Sequence, residues 1–286
     1  MIKNILITGT DTGVGKTLVT ALIASGLRCR GIDAGVMKPV ASGCEDTARG
    51  LMSPDVLFFE RVLGRLDPTE LVNPVRYRAP LAPSVAAEKE GRTLDLAALD
   101  AAFESMTRRH QILLVEGVGG LLVPLEGKFT VADLALRWRL PLLVVARPGL
   151  GTINHAALTI HHARSRGIPV EGFVFNSSDP DISSPSWRGA FRPPCRDEGG
   201  DARIPSAHEP GTGEVMPEDN AACIRDLCGV PFLGSIPWGG QSPTDPECWT
   251  KLLDAAEVIS ETLIPNPKSP TRSFSSPLEG EGKGGG

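Results

Sequence analysis

The stretch Gly9-Thr10-Asp11-Thr12-Gly13-Val14-Gly15-Lys16-Thr17 lies between a short apolar run at residues 5–7 and a helical pattern over residues 18–27. A buried strand that turns through glycines straight into a helix leaves several backbone N–H groups pointing into one small space. The positive end of the helix dipole adds to the field there, so the space attracts phosphate oxygens. Lys16 then reaches the β- and γ-phosphates of a nucleoside triphosphate, and the Thr17 hydroxyl is placed to ligate Mg²⁺. The spacing departs from the usual form at one position. Glycine, four residues, then Gly-Lys-Ser/Thr would put the first glycine at position 10, where this chain has Thr10; Gly9 comes one place earlier. Gly13 and Gly15 keep the freedom the turn needs.

A chain of 286 residues that is 41% hydrophobic and 22% charged can bury a substantial core. Its formal charge of −5 and its single tyrosine disfavour a nucleic-acid partner. The apolar run at residues 5–7 is too short for a signal peptide, and no segment has the unbroken apolar length of a membrane span. The expectation is a cytoplasmic protein without a membrane partner. Cysteines 29, 44, 195, 223, 228 and 248 show no paired metal spacing, so they read as reduced, structural thiols.

Apolar runs alternate with helical patterns along the chain. Residues 5–7, 35–40, 112–115, 142–146 and 170–175 read as buried strands, and 18–27, 94–109, 131–137 and 153–166 as helices. Such alternation predicts an α/β fold, a mostly parallel sheet with helices on both faces. In such a sheet, ligands bind beyond the carboxyl ends of the strands. The other polar or glycine-rich motifs all fall there: Lys38-Pro39-Val40-Ala41-Ser42-Gly43, Glu116-Gly117-Val118-Gly119-Gly120, Gly149-Leu150-Gly151-Thr152-Ile153-Asn154, and Asn176. Residues 179–217 and 265–286 are rich in Pro, Gly, Ser and charge without apolar periodicity. They read as an irregular excursion and a disordered tail. Helices are expected at 217–228 and 247–263, with a short strand within 231–236, which gives one elaborated domain over residues 1–264.

Glu116 ends a strand, where a carboxylate can hold Mg²⁺ opposite Thr17. Asp55 opens a helical pattern over 55–63, and on that evidence reads as an N-cap. Lys38, within an otherwise buried strand, needs an anionic partner and can join Lys16 in neutralising a transferring phosphoryl group. Ser42 and Asn154 cap turns or contact ligand, and His155 shows no partner for general-base work. The helix start at 151–154 suits a carboxylate or phosphate, and Asn176 can pair with the N6/N7 edge of adenine.

The motifs Gly-Thr-Asp-Thr-Gly-Val-Gly-Lys-Thr, Lys-Pro-Val-Ala-Ser-Gly, Val-Glu-Gly-Val-Gly-Gly, Leu-Gly-Thr-Ile-Asn-His and Gly-Ser-Ile-Pro-Trp, in that order, resemble the dethiobiotin synthetase family over residues 1–178 and 217–263. The phosphate loop alone is shared with cobyrinic acid amidases and partition ATPases, but its displaced first glycine is this family's form. The resemblance implies a P-loop ligase that uses ATP to carboxylate and close 7,8-diaminononanoate with CO₂, and a homodimer. Carried over, it places Gly13, Val14, Gly15, Lys16, Thr17 and Leu18 around the phosphates, with Lys16 and Lys38 catalytic. Thr17, Asp55 and Glu116 would hold Mg²⁺, which turns Asp55 from cap to ligand. Glu116 with Gly117, Val118 and Gly119, Asn176 with Ser177, and the Pro237-Trp238-Gly239 turn would face the nucleotide. Thr12 and Ser42 would face the diamine, and Gly151, Thr152, Ile153 and Asn154 would receive its distant carboxylate from the other subunit. A partner-regulated ATPase switch of the partition type is the competing expectation, and a corrinoid amidase a third. The chain has no length for the glutaminase domain that the third requires.

Overall fold

The computed structural model describes residues 4–177 and 217–236. Strand β1 (Ile5–Gly9) runs into helix α1 (Lys16–Cys29), followed by β2 (Ala34–Met37), β3 (Val40–Ala41), β4 (Glu45–Thr47) and β5 (Gly50–Met52). Next come α2 (Pro54–Leu63), α3 (Thr69–Val72), β6 (Val75–Arg76), α4 (Pro83–Lys89) and α5 (Leu96–Arg109). The chain returns through β7 (Ile112–Gly120), β8 (Pro124–Glu126), β9 (Phe129–Thr130), α6 (Val131–Arg137), β10 (Leu142–Ala146) and α7 (Thr152–Ser165). It continues in β11 (Val170–Asn176), α8 (Pro217–Cys228) and β12 (Phe232–Ile236).

Six strands form one sheet in the order β12-β11-β10-β1-β7-β2, all of whose pairs are parallel. Alternation along each strand divides the core. Ile5, Ile7, Ile112, Leu114, Val36, Val145 and Val174 pack with α1 and α2 on one face. Leu6, Leu113, Val115 and Met37 pack with α4, α5 and α6 on the other. Further along that second face Val144, Phe173 and Phe175 meet α7 and α8. This is the expected α/β architecture with helices on both faces.

Three expectations need correcting. The strand read over 35–40 ends at Met37: Pro39 has no N–H to continue the ladder, and Lys38 N donates to Val72 O at 2.7 Å instead. Residues 40–41 form β3 and pair with β6, outside the central sheet. The strand read over 112–115 runs on to Gly120, with a register shift against β1 between Ile7 and Gly9. Asp55 is not the N-cap of α2: Ser53 is, its hydroxyl accepting from Asp55 N at 3.2 Å. The residue before Pro54 is driven to extended geometry, which makes Ser53 the boundary. The 247–263 helix, the 265–286 tail and the excursion apart from Pro217 lie outside the described residues, as do Pro237, Trp238 and Gly239.

Candidate functional site

The loop after β1 shows why its first glycine stands at position 9. A Cβ on Gly9 would lie 2.6 Å from Asp11 O, 2.8 Å from Val14 Cγ2 and 3.3 Å from Lys16 Cδ. The loop and the Lys16 stem fold back over the end of the strand, and only a bare backbone fits beneath them. Thr10 escapes this contact, and its N–H donates to Val145 O at 3.0 Å, tying the loop to β10. Gly15 holds the left-handed N-cap position of α1 at φ 86, and no side chain caps the helix. The N-terminal N–H groups therefore remain available to an anion. Leu18 is buried in the core under α1, and Val14 packs beside it, so both can offer only main chain to a phosphate.

Lys38, Asp55 and Glu116 converge with the Thr17 hydroxyl beside the middle of β7, where β1 and β2 are ending. Lys38 Nζ lies 2.8 Å from Asp55 Oδ2 and 2.7 Å from Glu116 Oε1. The Thr17 hydroxyl lies 2.8 Å from Asp55 Oδ1 and 2.9 Å from Glu116 Oε1. A hydroxyl has one proton and cannot donate to both carboxylates at once. The buried Glu116 Oε2 has no hydrogen-bond partner among the described residues. Three oxygen-bearing side chains with more acceptors than protons suit a hard divalent cation. The residues therefore fit Mg²⁺.

Electrostatics follow from burial. Lys16 is buried with no ion pair among the described residues, and desolvation, aided by the nearby Lys38 charge, lowers its pKa to about 8. Burial also pulls Lys38 down, but Asp55 and Glu116 outweigh it and hold the ammonium above its usual range. Burial pushes the Glu116 carboxyl up, with Asp55 adding repulsion that the lysines only partly offset. Asp55 feels the same desolvation, but its pairing with Lys38 carries it below the usual range. A buried lysine beside an uncapped helix N-terminus suits an anion such as phosphate.

Of the other expected residues, Gly117 touches Lys38, and Gly119 and Asn176 meet the phosphate loop. Gly117 O accepts from Lys38 Nζ at 3.3 Å. Gly119, at φ 60, would bring a Cβ to 3.5 Å from Thr12 Oγ1, so this part of β7 runs alongside the phosphate loop. Val118 turns into the apolar layer on the opposite face, leaving its main chain alone to meet a ligand. Ser42 follows β3 and is half-buried, Thr12 is exposed at the loop apex, and Ser177 is half-buried beyond β11. Asn176 is buried, and its Nδ2 donates to Val14 O at 3.0 Å. Its amide thus braces the phosphate loop, a role not foreseen for a residue expected at adenine. Gly151 caps α7 in left-handed geometry with no acidic residue in the first turn. Thr152 is buried with its hydroxyl unpartnered among the described residues, while Ile153 is half-buried and Asn154 exposed.

Three supporting residues escaped the sequence reading. Asn73 is fully buried and donates to Lys38 O at 2.6 Å and Val75 O at 3.2 Å, fixing the backbone that carries Lys38. Arg147 donates to Thr12 O at 3.0 Å, and Asn220 of α8 donates to Pro148 O at 2.7 Å. Together the last two hold the β10–α7 connection between the phosphate loop and α8. Only the Asn-Pro dipeptide at 73–74 carried a local turn signal; the others act across long sequence separations.

The family model described as AAA domain (AAA_26) matches residues 3–243. An ATP-dependent dethiobiotin synthetase BioD from Anaeromyxobacter dehalogenans is 45% identical over 179 residues, covering 63% of this chain and 78% of that protein. The chain belongs to the dethiobiotin synthetase family. Another member, from Thermodesulfovibrio yellowstonii, is 32% identical over 239 residues, covering 81% of this chain and 87% of its own length. Among solved structures, the MinC:MinD cell division protein complex of Aquifex aeolicus aligns with a TM-score of 0.50 at 16% identity, covering 98% of this chain and 100% of that one. That likeness establishes the P-loop α/β fold and nothing further. The family thus joins the ATP-using chemistry read from the phosphate loop to a ligase.

Proposed function

We propose that this protein is an ATP-dependent dethiobiotin synthetase that converts 7,8-diaminononanoate, CO₂ and ATP to dethiobiotin, ADP and phosphate. The observation that carries the reading is the convergence of Lys16, Lys38, Thr17, Asp55 and Glu116 at one sheet edge beside an uncapped helix start. One amine of the diamine adds to CO₂ and loses a proton, giving a carbamate. A carbamate oxygen attacks the γ-phosphorus and ADP departs. The second amine then attacks the carbamoyl carbon and expels phosphate, closing the cyclic urea. Phosphoryl transfer of this kind depends on positioning and charge neutralisation more than on covalent catalysis.

The N–H groups of Gly13 to Leu18 hold the triphosphate, and Lys16 bears on the transferred phosphoryl group. Lys38 offsets charge on the carbamate. Thr17, Asp55 and Glu116 would hold Mg²⁺, which when bound neutralises the β- and γ-phosphate oxygens. Thr12 and Ser42 face the diamine, and Gly151 to Asn154 bind its carboxylate. Asn176 with Ser177, Gly117 to Gly119 and the Pro237-Trp238-Gly239 turn line the nucleotide. In this reading the enzyme is a cytoplasmic homodimer whose α7 start serves the partner's substrate. The exposed Leu150 and Leu158 around that start support an interface there. Among the described residues no helix is long and apolar enough to cross a membrane.

Purified protein should release ADP only when diamine and bicarbonate are both present. Robust ATP turnover without the diamine would reject the reading. The subunit arrangement has its own test: mixing inactive Lys16→Gln protein with inactive Thr152→Asp protein should restore activity through hybrid dimers. Absence of complementation, with exchange of subunits verified, would place the carboxylate site within one chain. Removal of residues 265–286 should leave turnover unchanged.

A further inference from the structure

Lys38 is placed where a metal cation would act. Its ammonium lies within 2.8 Å of both Asp55 and Glu116, the same two carboxylates that close on Thr17. Lys38 and Glu116 are nearly excluded from solvent, their side chains being 4% and 1% exposed. Asp55 is a quarter exposed and Glu116 is buried, and two carboxylates sharing the same partners in so little water repel unless a cation lies between them. With the ammonium in place, the charges of Lys16, Lys38, Asp55 and Glu116 sum to zero. A divalent ion entering alone would meet a held ammonium at contact distance of the same oxygens.

We propose that Lys38 is an internal counter-cation, which holds the Asp55–Thr17–Glu116 set closed and is exchanged for a divalent cation only when a nucleotide arrives with it. The inference rests on the metal and nucleotide assignments above. The negative charge of the triphosphate supplies what the protein lacks: it offsets the added cation, and Lys38 is freed to face the anionic acceptor. The exchange is a displacement without change of protonation or covalent bonding. It couples occupancy of the metal site to the availability of the second lysine, so that the acceptor's partner is released only on a loaded site. Asn73 and Val72, which fix the Lys38 backbone, confine the movement to its side chain.

The test is Mn²⁺ binding followed by electron paramagnetic resonance without diamine, bicarbonate or turnover. Wild-type protein should bind Mn²⁺ weakly alone and strongly with a non-hydrolysable ATP analogue. Lys38→Met should tighten nucleotide-free Mn²⁺ binding at least tenfold, whereas Lys38→Arg should leave it weak. Lys16→Met removes an equal charge from the same region and should tighten it far less. Unchanged or weaker Mn²⁺ binding in Lys38→Met, or an equal gain in Lys16→Met, would overturn the proposal. Should Lys38→Met fail to fold, the side-chain ammonium of Lys38 can be followed in ¹⁵N-lysine-labelled wild type, assigned through Lys38→Arg. That resonance should hold still on Mg²⁺ alone and move with Mg²⁺ plus the analogue; a signal that stays put in both would refute displacement. Because no substrate is present, these results stand apart from the diamine-dependence test: either reading can fail alone.

Discussion

At the scale of single residues, the site holds charge at the expense of stability. Lys16 is 6% exposed, and burial depresses its pKa from 10.5 to about 8. The unfolded chain therefore binds more protons than the folded one between those values, so this group's contribution to stability rises with pH across pH 8 to 10.5. Below pH 8 its burial cost is present in full, about 3 kcal/mol. Lys16→Met should raise the unfolding free energy at pH 7 by about 2–3 kcal/mol in urea titrations, with the advantage shrinking above pH 8. The same variant, and Lys16→Gln, should lose ATP turnover while remaining folded; retained turnover would remove Lys16 from the mechanism. ATP binding should take up a proton above pH 8, seen as a buffer-dependent heat in calorimetry. Glu116→Gln should weaken Mn²⁺–nucleotide binding at least tenfold, since it removes one carboxylate charge from the cation set.

At the scale of elements, the strand–loop–helix unit behaves as one piece. Gly15 has φ 86, and a Cβ there would lie 1.9 Å from Asn176 Nδ2. Gly15→Ala should therefore displace the Asn176 amide as well as strain the loop, costing about 2 kcal/mol of stability. Nucleotide affinity should fall at least a hundredfold, and Asn176→Gly should recover part of it; no recovery would show that backbone strain alone was responsible. Element positions were readable for the strongly periodic segments: α6 was expected at residues 131–137 and β10 at 142–146, where the structure has them. The region between α2 and α5 was not readable. Its elements α3, β6 and α4 are short and non-periodic, and α3 and β6 are held by long-range hydrogen bonds of Lys38, Asn73 and Tyr77.

At the scale of the whole molecule, the β10–α7 connection joins three parts of the fold. Arg147 reaches the phosphate loop, and the buried Asn220 reaches Pro148 from the far side of residues 178–216. Loosening this connection should disturb the carboxylate end of the site more than the nucleotide end. Asn220→Ala should raise the KM for diamine several-fold with the KM for ATP little changed; equal effects on both would indicate general destabilisation. The sequence by itself determined the class of fold and the phosphate loop, because both rest on short-range patterns: alternation of apolar runs, and glycines between a strand and a helix. It also placed the chemistry beyond the carboxyl ends of the strands, beside the phosphate loop. The structure adds the face: Lys38, Glu116 and Asn176 fall in step by twos with Val36, Ile112 and Val174, which line the α1 side. Only the tertiary structure decided what these side chains do to one another. The Lys38 bridge, the shared Thr17 hydroxyl and the Asn176 brace join residues from 17 (Lys38 to Asp55) to 162 positions apart. Their distances are set by the packing of three layers, which no local pattern encodes.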